Sequence, residues 1–397
     1  MKIESITHLG MGRAEDGTLV PRVLPGETIE LTDDGARVIE PSAARVSPPC
    51  RHFKACGGCA MQHASDSFVA DWKASNVAKS LAAHGIDAHI QGVDTSPTNS
   101  RRRAKFSGRR TKKAALVGFH ARASDTIVEI PDCQLISPAL KATLPALNEL
   151  TKIAGSRKGE VAMTVTESSS GPDIRVEADK ELTEELRIEL ADWANAHSIA
   201  RLVWRDEPVV TINVPVQSFD GIRVLPPPGA FLQATVQGEN ALQSAVKQIV
   251  GKAAKVIDLF AGSGTFSLPL ARNAEVHAVE GEKVMMDALD RGWRDTRGLK
   301  LVTTETRDLF RRPMLPDELD KFDAAVIDPP RAGAEAQIAE IASSKLKIVA
   351  MVSCNPVTFA RDARTLIDAG FEMGAVTVVD QFRWSPHTEV VCAFTRQ

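Results

Sequence analysis

Residues 256–280 constrain the fold of this chain more than any other stretch. Val256-Ile257-Asp258-Leu259-Phe260 is β-branched and apolar, Ala261-Gly262-Ser263-Gly264-Thr265 is a tight turn, and Phe266 to Arg272 starts a helix. The next apolar run, Val276-His277-Ala278-Val279, ends in Glu280. Strand, glycine turn, helix and second strand in that order specify a parallel pair, which needs helices over its faces. The turn lets the backbone approach a nucleoside-type ligand at a helix amino terminus, and an acid ending the second strand is placed for ribose hydroxyls. A lone Gly-x-Gly leaves a dinucleotide equally open. The third dinucleotide glycine is missing, however, since Phe266-Ser267 follow Thr265, and the pattern turns toward S-adenosylmethionine. Further strands at Ala324 to Ile327, Ile348 to Val352 and Val390 to Phe394 extend the unit into a mostly parallel sheet with helices on both faces, an α/β domain over 226–397.

A chain of 397 residues is too long for one ordinary core, so two or three domains are expected. Pro226-Pro227-Pro228-Gly229 marks a boundary. Before it, 96–225 mixes strand-like runs with helical ones at Pro138 to Ile153 and Thr183 to His197, an α+β central domain. From Met1 to about Val46, short alternating runs are broken by turns at Gly10-Met11-Gly12, Asp16-Gly17, Pro25-Gly26 and Asp33-Asp34-Gly35, the pattern of a small β-barrel. No apolar leader or membrane-length run is present, so the expected location is cytoplasmic, with no membrane contact and no obligate protein partner.

Between barrel and central domain, 47–95 holds Cys50, Cys56 and Cys59, with Gly57-Gly58 inside a C-x-x-C, and then an amphipathic helix from about Ser65 to Gly85. A fourth cysteine, Cys133, stands far off in Ile130-Pro131-Asp132-Cys133. Three crowded thiols in a reducing compartment point to metal rather than disulfides. Structural zinc tends to use two paired knuckles, and the three-plus-one spacing fits an iron-sulfur cluster better, with zinc left open. After Pro97 the chain concentrates positive charge in Arg101, Arg102, Arg103, Lys105, Arg109, Arg110, Lys112 and Lys113, interleaved with Phe106. In a protein of net charge −3, such a run is either a solvated face or a grip on phosphates.

Cys354 follows the apolar run Ile348 to Val352 and precedes Asn355-Pro356, which places it at a strand's carboxyl end, where open α/β sheets bind ligands. Buried cysteines are usually inert packing. This one shares its domain with the glycine turn, with Asp328-Pro329-Pro330-Arg331 and with Glu389.

Asp328-Pro329-Pro330-Arg331, Ser353-Cys354-Asn355-Pro356-Val357-Thr358-Phe359-Ala360-Arg361-Asp362 and His387-Thr388-Glu389 resemble the RNA 5-methyluridine methyltransferase family over nearly the whole chain. The four cysteines resemble the 4Fe-4S ligands of its 23S rRNA members, and Leu24-Pro25-Gly26-Glu27 resembles the TRAM module, an RNA-binding barrel, here shortened after Leu31. The resemblance implies a class I Rossmann-like methyltransferase domain that methylates C5 of a uridine in RNA, with 23S rRNA ahead of tRNA. It implies Cys354 as nucleophile and Glu389 as base. It implies Gln233, Phe260, Thr265, Glu280, Asp308 and Asp328 around S-adenosylmethionine, and Cys50, Cys56, Cys59 and Cys133 around a 4Fe-4S cluster. Two departures stand out: Thr265 replaces a common asparagine, and Pro386-His387-Thr388-Glu389 is shorter than P-x-T-x-H-x-E. Exocyclic-amine methyltransferases place an aromatic where Arg331 stands, and RNA cytosine-C5 enzymes use a second cysteine that is absent between Cys133 and Cys354. A non-catalytic RNA-binding factor is the remaining alternative.

Overall fold

The computed structural model describes every residue except Asp34, so the turn expected at Asp33-Asp34-Gly35 lies partly outside the described residues. The chain begins with β1 (Ile3–Ile6), β2 (Met11–Ala14) and β3 (Leu19–Pro21) in one antiparallel sheet and β4 (Thr28–Thr32) and β5 (Gly35–Glu40) in another. A Lys2–Thr28 bridge joins them. The Leu24-Pro25-Gly26-Glu27 turn is a staple of this unit. Glu27 is fully buried, closes the turn by accepting from the Leu24 N–H at 2.8 Å, and pairs with Arg45.

After the cysteine loop come α1 (Asp66–Ala82), capped by the Ser65 hydroxyl, and β6 (Ile90–Thr95). The central sheet follows as β7 (Arg103–Arg110), β8 (Ala115–His120), β9 (Ile127–Glu129), β10 (Glu160–Thr166), β11 (Asp173–Glu177), β12 (Arg201–Trp204) and β13 (Glu207–Thr211). Its order is β13-β12-β11-β10-β7-β8-β9. Helices α2 (Pro138–Ala154) and α3 (Glu184–Ala196) close its core with Leu147, Leu150, Leu190 and Trp193.

The hairpin β14 (Gln217–Phe219) and β15 (Ile222–Val224) leads into α4 (Val236–Val250), β16 (Lys255–Leu259), α5 (Ser267–Leu270), β17 (Glu275–Glu280), α6 (Lys283–Arg294), β18 (Val302–Thr306) and α7 (Pro316–Leu319). It continues through β19 (Ala324–Ile327), α8 (Glu335–Ser343), β20 (Ile348–Ser353), α9 (Pro356–Asp368), β21 (Glu372–Asp380) and β22 (Glu389–Thr395). The sheet order is β18-β17-β16-β19-β20-β22-β21-β6. Strands β18 to β20 run parallel and β22 runs antiparallel to both neighbours. Buried runs such as Ala324-Ala325-Val326-Ile327 suit a sheet covered on both faces.

The boundaries expected at 95 and 225 move. Strand β6 pairs in parallel with β21, and Val77 and Leu81 of α1 share a core with α8 and α9, so most of 66–95 belongs to the methyltransferase-type sheet. The hairpin β14-β15 packs Phe219, Ile222 and Val224 into the opposite face with α4 and α6. Apolar alternation shows that a strand exists but not which sheet receives it. The helix expected from Phe266 to Arg272 shrinks to one turn. Among the described residues no helix is long and apolar enough to cross a membrane.

Candidate active site

Cys354 leaves the carboxyl end of β20 just before α9 begins, and the motif around it is a set of ties to the Asp-Pro-Pro-Arg loop. Asn355 caps α9 by accepting from the Val357 N–H at 3.1 Å, while its side-chain amide donates to the Arg331 carbonyl at 2.9 Å. Asp362 accepts from the Ala334 N–H at 3.0 Å and from Arg361, whose guanidinium also reaches the Ala332 carbonyl. Pro356 at the first helical position asks for no amide partner. The thiol-bearing turn and the loop after Asp328 are therefore one braced unit.

Antiparallel pairing of β20 with β22 ends at Ser353 opposite Val390, so the next step across the ladder brings Cys354 to Glu389. Glu389 is only 2% exposed, and burial, then the Asp328 charge, pushes its carboxyl up to about 8. Burial likewise pushes Asp328 up to about 7, helped by Asp258, and Cys354 up to about 12, helped by Glu389 and Asp328. Arg331 pulls the Cys354 thiol the other way. A thiol, two carboxyls that burial pushes up toward neutrality and one guanidinium thus meet at the ends of three adjacent strands, a constellation suited to addition and proton removal.

The sheet order reverses between β16 and β19, and the residues expected around S-adenosylmethionine gather at that end. Phe260 follows β16 with φ of +62°, a left-handed conformation costly for a phenylalanine, and lies 5.4 Å from Phe310. Gly264, at φ +97°, sits where a Cβ would meet Leu289 and Leu268. Glu280 ends β17 and already accepts from the Gly262 and Gly281 N–H groups, at 3.1 and 2.6 Å, which braces the turn. Asp308 follows β18 and caps the Phe310 N–H. Thr265 lies in the turn, its carbonyl held by Gln243. Gln233 stands apart from these strand ends. It precedes α4, is buried, and accepts from the Gln381 amide at 2.5 Å.

Cys50, Cys59 and Cys133 are buried, Cys56 is half-buried, and all are free thiols. Burial and the charges of the other three push Cys59 up to about 12, so the four lie within electrostatic reach of one another. Arg51 and Asp132 pair across the two halves. Gly57 passes so close to β8 that a Cβ would stand 2.8 Å from the His120 carbonyl oxygen. Among the described residues no three Cys, His, Asp or Glu converge as the ligands of a single ion would.

Half of the basic run has partners within the protein, buried for Arg102 and at the surface for Lys105 and Arg109. Arg102 is buried against Glu239 at 2.5 Å, Arg103 donates to the Gly229 carbonyl, Lys105 pairs with Glu177 and Arg109 with Glu160. Arg110, Lys112 and Lys113 stand exposed around the turn from β7 to β8.

Two side chains near the site escaped sequence reading. Gln381 bridges Gln233 and the Ala234 N–H, and Lys73 of α1 is buried completely against Asp380. Lys73 was traceable, because it falls beside Trp72 on the face that carries Val69, Val77 and Leu81. A cleft of about 780 Å³ opens over Cys354, walled by Arg331 and Thr388, by Asn76 and Ser80 of α1, and by Thr7 and Arg13 of the amino-terminal unit.

A family model described as tRNA (Uracil-5-)-methyltransferase matches residues 296–397. An uncharacterized RNA methyltransferase of Rhizobium meliloti is 43% identical over 98% of this chain and 96% of its own length. The 23S rRNA (uracil(1939)-C(5))-methyltransferase of Shewanella halifaxensis is 31% identical, covering 99% and 95%. The Pyrococcus abyssi tRNA (uracil-54, C5)-methyltransferase, solved with S-adenosyl-L-homocysteine, covers 100% of both chains at 20% identity with a TM-score of 0.74, a likeness of fold. With this fold, this strand-end constellation and relatives matching along its full length, the chain belongs to the S-adenosylmethionine-dependent RNA uracil-C5 methyltransferases.

Proposed function

We propose that Cys354 is the nucleophile and Glu389 the base of this methylation, and that a uridine of 23S rRNA is the substrate. The observation that carries the roles is the cross-strand placement of a thiol beside a buried carboxyl. C5 of uracil is too weakly nucleophilic to take a methyl group unaided. The Cys354 thiolate adds to C6, and the π electrons move to C5 and its carbonyl. S-adenosylmethionine, when bound, supplies an electrophilic methyl on a positively charged sulfur, and Phe260, Thr265, Glu280, Asp308, Asp328 and Gln233 are the residues assigned to hold it. Glu389 then takes the C5 proton, the C5–C6 double bond re-forms, and the sulfur–C6 bond breaks to return the thiolate. Arg331 sits beside the thiol and helps it ionise. The target base reaches Cys354 flipped out of any stack, through the cleft above it.

The rRNA assignment is supported by the named relative from Shewanella halifaxensis and by the four-cysteine set. Cys50, Cys56, Cys59 and Cys133 are read as the residues that would hold a 4Fe-4S cluster, on their three-plus-one spacing and its likeness to the set in the family's 23S rRNA members. The amino-terminal unit and the Arg110–Lys113 turn are read as further RNA contacts. Mapping 5-methyluridine across all RNA from cells with and without the gene tests the substrate. Loss of a 23S rRNA position is expected, and loss of a tRNA position instead overturns the assignment.

The roles are tested by variants that fail at different points. Cys354→Ala gives no methylation and no covalent RNA. Glu389→Gln adds and methylates but retains the proton, so an adduct of protein and methylated RNA accumulates on a denaturing gel and requires both S-adenosylmethionine and Cys354. Near wild-type turnover by Glu389→Gln, or adduct in the double variant, defeats the assignment.

A further inference from the structure

The eight residues from Gln381 to Thr388 connect β21 to β22 and deliver Glu389 to the site. They form no regular structure, and Trp384 within them has φ of +60°. A connection of this kind holds a carboxyl in place only if other elements fix it. A lysine ammonium has three hydrogens, and Lys73 spends all three here. It donates to Asp380 Oδ1 at 2.5 Å, to the Phe382 carbonyl at 3.2 Å and to the His387 carbonyl at 2.7 Å. The acceptors lie at both ends of the connection, and the last is two residues from Glu389. Lys73 itself comes from α1, more than 300 residues earlier, and is 0% exposed.

Burying a lysine is costly, and an apolar residue of similar volume would serve packing as well or better. A lysine at this point therefore has a role that packing does not supply. We propose that Lys73 is a positioning residue for the catalytic base, clamping the β21–β22 connection so that the Glu389 carboxyl stands where the C5 proton leaves. The clamp is also electrostatic. The charges around Glu389 are Asp328 and Arg331 from the loop after β19, Cys354 after β20 and Lys73 from α1, and Lys73 and Arg331 are the two that favour its ionised form. Asp380, Lys73's partner, keeps its second carboxylate oxygen buried without a hydrogen bond, so the ammonium is its main stabilisation.

The inference rests on Glu389 being the base, and the experiment separates the two. Wild type, Glu389→Gln, Lys73→Met and the double variant Lys73→Met with Asp380→Leu are assayed on total RNA from cells lacking the gene. The double variant removes both buried charges together and guards against misfolding from a lone buried Asp380. Lys73→Met is expected to lower kcat by roughly 10- to 100-fold with KM for RNA nearly unchanged, since a displacement of about 1 Å costs that much. Methylated covalent adduct should accumulate, and the acidic limb of the pH–rate profile should move to higher pH because a positive charge beside the base is gone. The double variant should show the same adduct. If Glu389→Gln accumulates adduct but folded Lys73→Met does not, or loses activity through KM alone, the proposal fails and the base assignment stands. If Glu389→Gln gives no adduct, both fail. If neither Lys73 variant folds, Lys73 supports the whole molecule rather than one connection, and the proposal is overturned.

Discussion

Asp258, Asp328 and Glu389 are three carboxyls that the fold pushes up to about 7, about 7 and about 8, burial being the largest cause for each. Asp258 accepts from the Ser267 hydroxyl at 2.5 Å, yet its other oxygen is buried without a partner. A carboxyl whose folded pKa is raised contributes stability that is full below its unfolded pKa and is lost as pH rises through the folded value. Stability should therefore fall from about pH 4 to about pH 8, while catalysis, which under the proposed roles needs Cys354 and Glu389 deprotonated, should climb over the upper part of that range. Glu389→Gln removes the ionisation, so at about pH 8.5 it should be more stable than wild type by roughly 4 to 5 kcal/mol, and at about pH 4.5 nearly indistinguishable from it. Thermal melts at the two pH values check this, and an equal shift at both would mean that Glu389 is not buried as a proton-holding acid. The strand-end position of Cys354 was legible from the apolar run before it, while Glu389 was singled out by the resemblance of His387-Thr388-Glu389, and the β20–β22 pairing brings the two together. The burial of Lys73 was traceable from its place on the apolar face of α1, but its partners were not, because all three acceptors lie on a segment more than 300 residues away.

At the scale of elements, β7 shows why a charge run misleads when read by composition. Its residues alternate across the pleat, so Ala104, Phe106 and Gly108 face the core while the cations between them meet Glu177 of β11 and Glu160 of β10. Arg102, just before the strand, is spent on Glu239 of α4 and so fixes the central sheet against the catalytic domain. Neutralising Arg110, Lys112 and Lys113 together should weaken RNA binding and reduce the slope of log affinity against log salt by roughly one unit per lost phosphate contact. Arg102→Ala should instead cost about 3–5 kcal/mol of stability, because it strands a buried Glu239. Salt titrations of RNA binding beside denaturant melts distinguish them, and an unchanged slope for the triple variant would make the turn a solvated face. Helices α2 and α3 and strands β10, β11 and β13 were readable from apolar runs, whereas β7, β8, β9 and β12 were not. Nor was the joining of β6 to β21, because that pairing is parallel and spans most of the chain.

On the scale of the molecule, the cysteine loop touches every part. The chain just after Cys59 donates two N–H groups, from Ala60 and Met61, to the Trp384 carbonyl in the connection that carries Glu389. Cys56 bridges to Ala121 of the central sheet, Cys133 belongs to that domain, and Ala60 and Met61 pack with Leu24 of the amino-terminal unit and Trp72 of α1. Arg101, next to Cys59 and Cys133, lies over the Phe382 ring at 5.9 Å. Four free thiols are no cross-link, whereas the same thiols on iron would be a covalent one, because ligation requires the deprotonated form. If the four cysteines hold a 4Fe-4S cluster, protein isolated without oxygen should be brown and contain iron and sulfide. Cys56→Ala should lose the colour and melt at lower temperature, with the central sheet separating from the catalytic domain as an earlier transition. In a Glu389→Gln background, Cys56→Ala should also slow adduct formation, since the Trp384 connection would lose its anchor while Cys354 is untouched. Zinc bound in place of iron after anaerobic reconstitution would refute the cluster, and a colourless Cys56→Ala protein that melts and forms adduct like its parent would refute the cross-link.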